Sequence, residues 1–330
     1  MKILVTGGAG YIGSDTVREL LARDHKVVIL DSLENSSEIS LKTLGVLDKL
    51  IVGSTSDSRL LDRIFSEQSI EAVIHFAAYK RGNESLTRPA DYFLNNVGGT
   101  FTLLDAMVRH KIKYFIFSSS GGIYGNPQVV PVSEENNLPQ PESPYGEGKL
   151  MVEKALPWFD RAYGLKSVSL RYFNAAGAAP NGETGEDWNV TNNLIPLALK
   201  AALGLTPSFS IMGADHPTRD GTCIRDFIHV TDLAVAHIMA LENLIRGQAS
   251  PIYNLGTGEG TTVREVVDMV RLVTGRDFPV KELAGRPGDP VAIWADSRTA
   301  QNELGWQPRY TLEDMVRSAY NWHTSHLLSQ

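Results

Sequence analysis

The sequence predicts an α/β protein with a doubly wound parallel sheet and a smaller C-terminal lobe. Short apolar runs rich in β-branched residues alternate with segments of helical periodicity. Some runs, such as Val27–Leu30, are apolar throughout, which is typical of strands covered by helices on both faces. The length of 330 residues is sufficient for two lobes, at roughly 150 residues per domain.

The predicted strands are short and are bounded by polar turns. They are Lys2–Thr6, Lys26–Asp31, Lys49–Val52, Glu71–Phe76, Tyr114–Ser118 and Ser167–Tyr172, and Pro251–Leu255 is expected to return to the same sheet. Beyond Asn174 the alternation stops, and Ala175–Asn189 is rich in Gly, Ala, Pro and acidic residues. We therefore predict a first domain at residues 1–174, to which the chain returns around residues 228–260, and a second lobe formed mainly by residues 175–330.

Composition and charge exclude several classes of protein. The chain carries 31 Lys and Arg against 38 Asp and Glu, a formal net charge of −7. That balance argues against nucleic acid or an anionic membrane surface as a partner, because both attract surplus positive charge. No apolar run reaches the roughly 18 residues of a membrane span, so neither an anchor nor a signal peptide is expected. The single cysteine, Cys223, cannot form an internal disulfide, and a cytoplasmic protein is expected.

A glycine-rich turn follows the first predicted strand. Gly7, Gly10 and Gly13 precede an amphipathic helix, so the backbone amides at the start of that helix can approach a pyrophosphate. Asp31 ends the second strand, 18 residues after Gly13, where a carboxylate can hold the adenosine ribose and repel a 2′-phosphate. The motif predicts NAD rather than NADP. A purely structural turn and a solvated aspartate are the alternatives.

A second motif combines a tyrosine, a lysine and a serine. Ser143 and Pro144 predict the start of a helix that carries Tyr145 and Lys149 on one face. A nearby ammonium and a helix N-terminus both favour the phenolate, which could then act as a base. Ser120 follows a strand that ends at the same edge of the sheet. We predict Tyr145 as the base, Ser120 as a proton relay and Lys149 as the group that lowers the tyrosine pKa and anchors ribose, although each side chain taken alone is more often structural.

With these motifs the sequence resembles the extended short-chain dehydrogenase/reductases, and specifically the UDP-glucose 4-epimerases, nearly end to end. Further matching blocks include Arg171–Asn174, Asn192–Leu194, Ile224–Val230 and Arg286–Asp289. The resemblance implies a Rossmann domain that binds NAD and a C-terminal lobe that binds a UDP-sugar. It also implies reversible C4 epimerisation of UDP-glucose and UDP-galactose through a 4-keto intermediate, a role in galactose metabolism and tightly bound NAD.

The resemblance further implies the binding residues for each ligand. The cofactor-binding set is Gly7, Gly10, Tyr11, Ile12, Gly13, Asp31, Asn35, Ser36, Ser54, Thr55, Phe76, Ala77, Lys80, Asn96, Ser118, Tyr145, Lys149 and Tyr172. The substrate-binding set is Ser120, Tyr145, Asn174, Asn193, Leu194, Ser210, Met212, Arg225, Arg286, Asp289 and Ile293. Ile293 stands where the size of the residue influences acceptance of N-acetylhexosamines in similar enzymes.

Several alternatives remain open at this point. Gly121 and Gly122 follow Ser120 where related dehydratases carry an acidic pair, so 4,6-dehydration lacks its acid and base. Epimerases of UDP-GlcNAc, UDP-glucuronate or UDP-xylose remain possible, as does a non-catalytic redox sensor that binds a dinucleotide.

Two further expectations concern metals and assembly. The sequence contains no HExxH motif and no Cys/His cluster, so no metal site is predicted. Long amphipathic helices are predicted at Pro89–His110 and Pro144–Tyr163. In similar enzymes such helices pair across a two-fold axis, and the resemblance therefore implies a homodimer.

Overall fold

A seven-stranded parallel sheet forms the centre of the protein, as described by a computed structural model of residues 1–249, 251–285 and 289–327. The strands are β1 (Lys2–Thr6), β2 (Lys26–Asp31), β3 (Leu50–Val52), β4 (Ala72–His75), β5 (Tyr114–Ser118), β6 (Lys166–Tyr172), β7 (Asn174–Ala176), β8 (Phe209–Met212), β9 (Ile224–Arg225), β10 (Phe227–His229), β11 (Ile252–Leu255), β12 (Thr261–Thr262), β13 (Val280–Leu283) and β14 (Ala292–Ile293). The α-helices are α1 (Tyr11–Leu21), α2 (Ile39–Thr43), α3 (Ser58–Gln68), α4 (Gly82–Thr87), α5 (Pro89–Tyr92), α6 (Gly99–Arg109), α7 (Pro144–Tyr163), α8 (Leu194–Ala202), α9 (Val230–Ile245), α10 (Val263–Thr274), α11 (Arg298–Leu304) and α12 (Leu312–Leu327).

The order of the strands confirms the predicted doubly wound sheet. Across the sheet the order is β11-β6-β5-β4-β1-β2-β3, and each neighbouring pair is parallel. The winding reverses between β1 and β4, which is where doubly wound sheets bind their ligands. The bounds of β1, β2 and β5 match the prediction, and β11 returns to the sheet beside β6 as expected.

Both faces of the sheet are covered, as the continuous apolar strands require. On β1, Ile3 and Val5 belong to one buried cluster, which also contains residues of α1 and α9. Leu4, between them, points to the opposite cluster, formed with α3, α6 and α7. This alternation explains why β1 contains three successive buried apolar residues.

The helix predicted for Pro89–His110 is divided in the structure. It consists of α5, a wide π-helical turn at Phe93–Gly98, and α6. Such wide turns accommodate an extra residue within a helix and are frequent at functional sites. The second predicted helix, Pro144–Tyr163, has the bounds that the sequence indicates, with the Ser143 hydroxyl as its N-terminal cap and Gly164 in the left-handed conformation after its last residue.

A separate apolar core lies in the C-terminal half of the chain. It combines residues of α8, α10 and α12, including Leu199, Val266 and Val316, with Phe209 and Ile211 of β8. The division of the chain into residues 1–174 and 175–330 remains our proposal. In the ranges that the structure describes, no helix is both long and apolar enough to cross a bilayer.

Candidate active site

The glycine-rich turn joins β1 to α1 at the carboxyl edge of the sheet. Gly7 has a φ of +70°, and a Cβ there would lie 2.6 Å from the backbone nitrogen of Ala77. A Cβ on Gly13 would lie 2.2 Å from the carbonyl oxygen of Gly7. The absence of side chains therefore lets the turn approach the end of β4 while the start of α1 borders the cleft above the sheet. A helix N-terminus in this position is suited to a phosphate group.

Asp31 ends β2 at the same edge and is almost completely buried. One carboxylate oxygen accepts hydrogen bonds from the Leu33 amide at 2.9 Å and from the Ser36 hydroxyl at 2.8 Å. The other accepts one from the Ala9 amide, within the glycine-rich turn, at 3.0 Å. The carboxylate thus connects the turn to the loop after β2 and still borders the cleft.

The cleft has a volume of about 350 Å³ and lies above the point where the winding reverses. Of the predicted cofactor-binding residues, those that line it are Gly7, Gly10, Tyr11, Ile12, Gly13, Asp31, Asn35, Ser36, Ser54, Thr55, Phe76, Ala77, Lys80, Ser118, Tyr145, Lys149 and Tyr172. Residues up to 165 positions apart in the sequence therefore meet in one depression.

Asn96, which is also in the predicted cofactor-binding set, holds the loop after β4. Its side chain accepts a hydrogen bond from the Tyr79 amide at 2.8 Å and donates one to the Tyr79 carbonyl at 2.9 Å. Both ends of the amide are thus used to hold the loop that carries Lys80, and Asn96 is not among the cleft-lining residues. The preceding residue, Asn95, lines the cleft instead and donates to the Asn96 side chain at 2.9 Å.

Tyr145 and Lys149 lie one turn apart on α7 and both border the cleft. The Lys149 ammonium donates to the Ser118 carbonyl at 2.6 Å and lies 5.9 Å from the centre of the Tyr145 ring. Ser120 follows β5 and also borders the cleft, and its hydroxyl accepts a hydrogen bond from the Gly122 amide at 3.0 Å. The three predicted catalytic side chains therefore converge at the carboxyl end of β5.

Burial dominates the acid–base properties of this group. Desolvation lowers the pKa of Lys149 to about 7, and the negative charge of Glu153 opposes that shift. Desolvation also raises the pKa of the Tyr145 phenol, and a hydrogen bond from Ser120 opposes that shift. Tyr172, whose pKa burial likewise raises, hydrogen-bonds the Ser118 hydroxyl.

A second cavity, of about 270 Å³, lies in the C-terminal half of the chain. Of the predicted substrate-binding residues, those that line it are Asn174, Asn193, Leu194, Ser210, Met212, Arg225 and Asp289. Ser120 and Tyr145 lie in the first cleft, and Arg286 falls outside the described residues. Tyr11, Asn174, Ala175 and Asn193 line both cavities, so the two are adjacent.

Ile293, the last of the predicted substrate-binding residues, lines neither cavity. It is buried in a small apolar cluster with Ile123, Leu150 and the partly buried ring of Phe173. It pairs with Arg225 through β14 and β9. Its size can therefore act on the site only through these neighbours.

Glu186 lines the second cavity, although no sequence motif singles it out. One of its carboxylate oxygens accepts a hydrogen bond from the Asn193 side chain at 2.7 Å and lies 3.4 Å from the Lys80 ammonium. His323 of α12 also lines this cavity and stacks on Trp188, with ring centres 4.2 Å apart. No local pattern marks either residue, because the Glu186–Lys80 and His323–Trp188 contacts join segments that are distant in sequence.

Among the residues that the structure describes, no three His, Cys, Asp or Glu side chains are grouped so that they could hold a metal ion.

Comparison with known proteins agrees with this geometry. Residues 3–256 match the family model described as the NAD dependent epimerase/dehydratase family. A UDP-glucose 4-epimerase from Halalkalibacterium halodurans is 47% identical, with 99% of this chain and 96% of that protein aligned. A UDP-glucose 4-epimerase from Bacillus subtilis is 42% identical, with 99% and 98% aligned.

Solved structures show the same similarity. UDP-glucose 4-epimerase from Stenotrophomonas maltophila, crystallised with NAD and formylated UDP-arabinopyranose, superposes with a TM-score of 0.95 at 38% identity over 100% of both chains. The enzyme from Bifidobacterium longum, in complex with NAD⁺ and UDP, superposes with a TM-score of 0.92 at 38% identity over 99% of both chains. The chain therefore belongs to the NAD-dependent epimerase/dehydratase family, within its group of UDP-glucose 4-epimerases.

Proposed function

We propose that this chain catalyses the reversible C4 epimerisation of UDP-glucose and UDP-galactose, with NAD as a retained cofactor, and that it serves galactose metabolism. The observation that carries this proposal is the wall shared by the two cavities, which Tyr11, Asn174, Ala175 and Asn193 form. A dinucleotide in the first cavity and a sugar nucleotide in the second would meet at this wall, close to Tyr145. The names of the curated relatives support the same assignment.

The first cleft has the features that NAD requires. The glycine turn leaves room for a pyrophosphate at the start of α1, since side chains at Gly7 or Gly13 would collide with the backbone. The Asp31 carboxylate would accept the ribose hydroxyls and repel the 2′-phosphate of NADP. Lys80 borders the same cleft and would add a positive charge. When bound, NAD supplies hydride chemistry at C4 of the sugar.

The second cavity suits a uridine diphosphate. Arg225 lines it and can donate several hydrogen bonds to a diphosphate in a fixed planar arrangement. The side-chain amides of Asn174 and Asn193 would add polar contacts near the shared wall, while Leu194 and Met212 provide apolar surface for the base. Firm binding of the nucleotide leaves the sugar free to present either face, as epimerisation requires.

The proton step is assigned to Tyr145. Its phenolate oxygen would take the proton of the C4 hydroxyl as hydride leaves C4, and would return it when hydride comes back to the opposite face of the 4-keto sugar. Ser120 would orient the hydroxyl through its own hydrogen bond to the phenol. The Lys149 ammonium, held by the Ser118 carbonyl at 2.6 Å, would favour the phenolate and anchor the ribose.

The decisive experiment is incubation of the purified chain with UDP-galactose, without added NAD, followed by chromatographic detection of UDP-glucose. Product without added cofactor is expected, since NAD is retained. If none appears, the assay is repeated with NAD, and a lack of product there too would contradict the proposal. UDP-GlcNAc, UDP-glucuronate and UDP-xylose are tested in parallel. If any of them is turned over faster than UDP-galactose, that UDP-sugar is the substrate instead.

The proposed assembly is a homodimer formed through α6 and α7. Apolar side chains are exposed on these helices and on the turn before α6. Leu94 of that turn is 72% exposed, and Trp158 of α7 is 64% exposed. Phe101 and Phe159 stack across the two helices, so the apolar surface is continuous between them. An exposed apolar surface of this kind commonly marks an interface, and the symmetric pairing of two copies would cover it.

A cytoplasmic location is proposed on the basis of the cysteine content. The single cysteine, Cys223, is buried beside the second cavity, and the proposed chemistry requires no thiol.

A further inference from the structure

A buried ion pair lies directly behind the catalytic side chains. Glu153 is on α7, one turn beyond Lys149, and both Glu153 and Arg171 of β6 are buried. The guanidinium donates to Glu153 at 2.6 Å through Nη2 and at 3.0 Å through Nε. Neither residue lines the two cavities that hold the proposed ligands, so direct contact with substrate or cofactor does not explain this arrangement.

The carboxylate also binds the serine run after β5. The Ser119 hydroxyl donates to Glu153 at 2.5 Å, and the Ser119 amide donates to the Leu170 carbonyl at 2.9 Å. Ser119 lies between Ser118, whose carbonyl holds the Lys149 ammonium, and Ser120, which borders the cleft together with Tyr145. A single buried side chain is therefore attached to the middle of the segment that carries both residues.

Arg171 extends this anchor to the rest of the fold. Its Nη1 donates to the Tyr124 hydroxyl at 2.8 Å, and that hydroxyl donates to the Asn254 side chain, also at 2.8 Å. Asn254 is part of β11, the strand that returns to the sheet from the C-terminal half. The network thus joins α7, β5, β6 and β11 with every polar group buried and paired, an arrangement that rigidifies a site.

We propose that Glu153, held by Arg171, is a positioning residue for the reaction: through Ser119 it fixes the serine run so that the Ser118 carbonyl meets Lys149 and the Ser120 hydroxyl meets Tyr145. This inference rests on the proposed function for its kinetic consequences. Its geometric content, the orientation of Ser120 and Lys149, does not depend on which sugar is the substrate.

Glu153 also supplies the negative charge that acts on Lys149. Burial lowers the pKa of Lys149, and the Glu153 carboxylate opposes this shift. The other titratable groups near Lys149 are Tyr145 on its own helix, His75 of β4 and His237 of α9. Burial lowers the pKa of His75 to about 3 and that of His237 to about 4, so both are neutral near pH 7.

The first test is Ser119→Ala, which cuts the link to the serine run but leaves the ion pair intact. The expected result is a kcat for UDP-galactose about tenfold lower, because small displacements of reacting groups are costly, with a KM within about twofold. The alkaline limb of the profile of kcat against pH should not move, since the negative charge of Glu153 is retained. An unchanged kcat would overturn the proposal.

The second test compares three substitutions on α7. Glu153→Gln is expected to lower kcat about 10- to 100-fold and to move the alkaline limb to lower pH, since Lys149 then loses its proton more readily. Glu153→Asp keeps the charge, so the alkaline limb should stay at the pH of the unaltered chain, although the side chain is one methylene shorter. If Glu153 served only packing, the shorter Glu153→Asp would lower kcat more than Glu153→Gln, and that result would overturn the proposal. Glu147→Gln, which removes a carboxylate from the first turn of the same helix, is the matched control.

A readout that requires no turnover separates this inference from the proposed function. Phenolate absorbance of Tyr145, obtained as the difference from Tyr145→Phe, is titrated in the unaltered chain and in Ser119→Ala. We expect the phenolate to form at higher pH in Ser119→Ala, because the hydrogen bond from Ser120 is loosened. If the unaltered chain epimerises no UDP-sugar, the titration still decides the positioning role, and identical titration curves refute it. Ser119→Ala also decides the question if Glu153→Gln fails to fold.

Discussion

Replacement of Tyr145 by phenylalanine is the sharpest single test of the site. The change removes one oxygen and leaves the ring, so the packing of α7 should persist. A positioned general base contributes about 10²- to 10⁴-fold to a rate, or about 3 to 5 kcal/mol at 1.36 kcal/mol per tenfold change. We expect a loss in the upper half of that range, since the other phenols of the cleft are engaged. Tyr172 hydrogen-bonds Ser118, and Tyr11 donates to the Gly177 carbonyl at 2.5 Å.

The assay measures conversion of UDP-galactose at saturating substrate, together with the NAD released when the purified protein is denatured. For Tyr145→Phe we expect kcat lower by about 10³-fold or more and an NAD content equal to that of the unaltered chain, because the phosphate and ribose sites are untouched. A variant that retains a tenth or more of the activity would refute the assignment of the base. A variant that has lost its NAD would show that the oxygen serves binding instead.

Three further predictions follow from particular contacts. Asp31→Asn should lower the NAD content of the purified protein, and it should lower the free energy of unfolding by about 1–3 kcal/mol, because an amide cannot accept all three hydrogen bonds and leaves a buried donor unpaired. An unchanged NAD content would contradict this prediction. Below pH 6.5 the free energy of unfolding should fall, by at most about 1.4 kcal/mol per pH unit for each buried histidine, because histidines whose pKa burial lowers to about 3 or 4 take up protons only on unfolding. These are His75, His229, His237 and His323. Asp226 and Asp232, whose pKa values burial raises to about 6, oppose the trend by binding protons in the folded state, but they are fewer than the four histidines. Urea titrations at several pH values check the sign, and a free energy of unfolding that rises as the pH falls would contradict the prediction. Trp158→Glu should convert the proposed dimer to a monomer in light scattering, while Leu272→Glu, which alters a similarly exposed apolar residue on α10 (69% against 64%), should leave the mass unchanged. A monomeric unaltered chain would refute the proposed interface.

Much of the fold was predictable because its signals are local. Val27–Leu30 and the neighbouring runs are apolar throughout, and such runs form strands wherever both faces are covered. The cap at Ser143, the proline after it and Gly164 define α7 within a few residues of chain, so both ends of that helix were predicted. The π-helical turn at Phe93–Gly98 was not, because it lies within a sequence of ordinary helical periodicity.

The direction in which a side chain points could not be predicted from the sequence. Asn95 and Asn96 are chemically identical neighbours, and only the packing of the Tyr79 loop decides that Asn96 turns inward while Asn95 borders the cleft. Ile293 lies in an apolar cluster rather than in the cavity, although Arg225, its register partner on β9, lines that cavity. One-residue changes of direction of this kind cannot be derived from composition or spacing.

The amino-acid sequence alone was enough to place the central strands and the chemical groups of the site: the glycine turn, the strand-end aspartate, and the tyrosine and lysine one helical turn apart. Each depends on residues close together in the chain, where the period of a helix or a strand sets the geometry. The contacts of Glu153 with Arg171 and Ser119, and of Glu186 with Lys80, depend instead on the fold of the whole chain. Those contacts join distant segments, and a buried carboxylate gains its role from the partners that the whole fold brings to it.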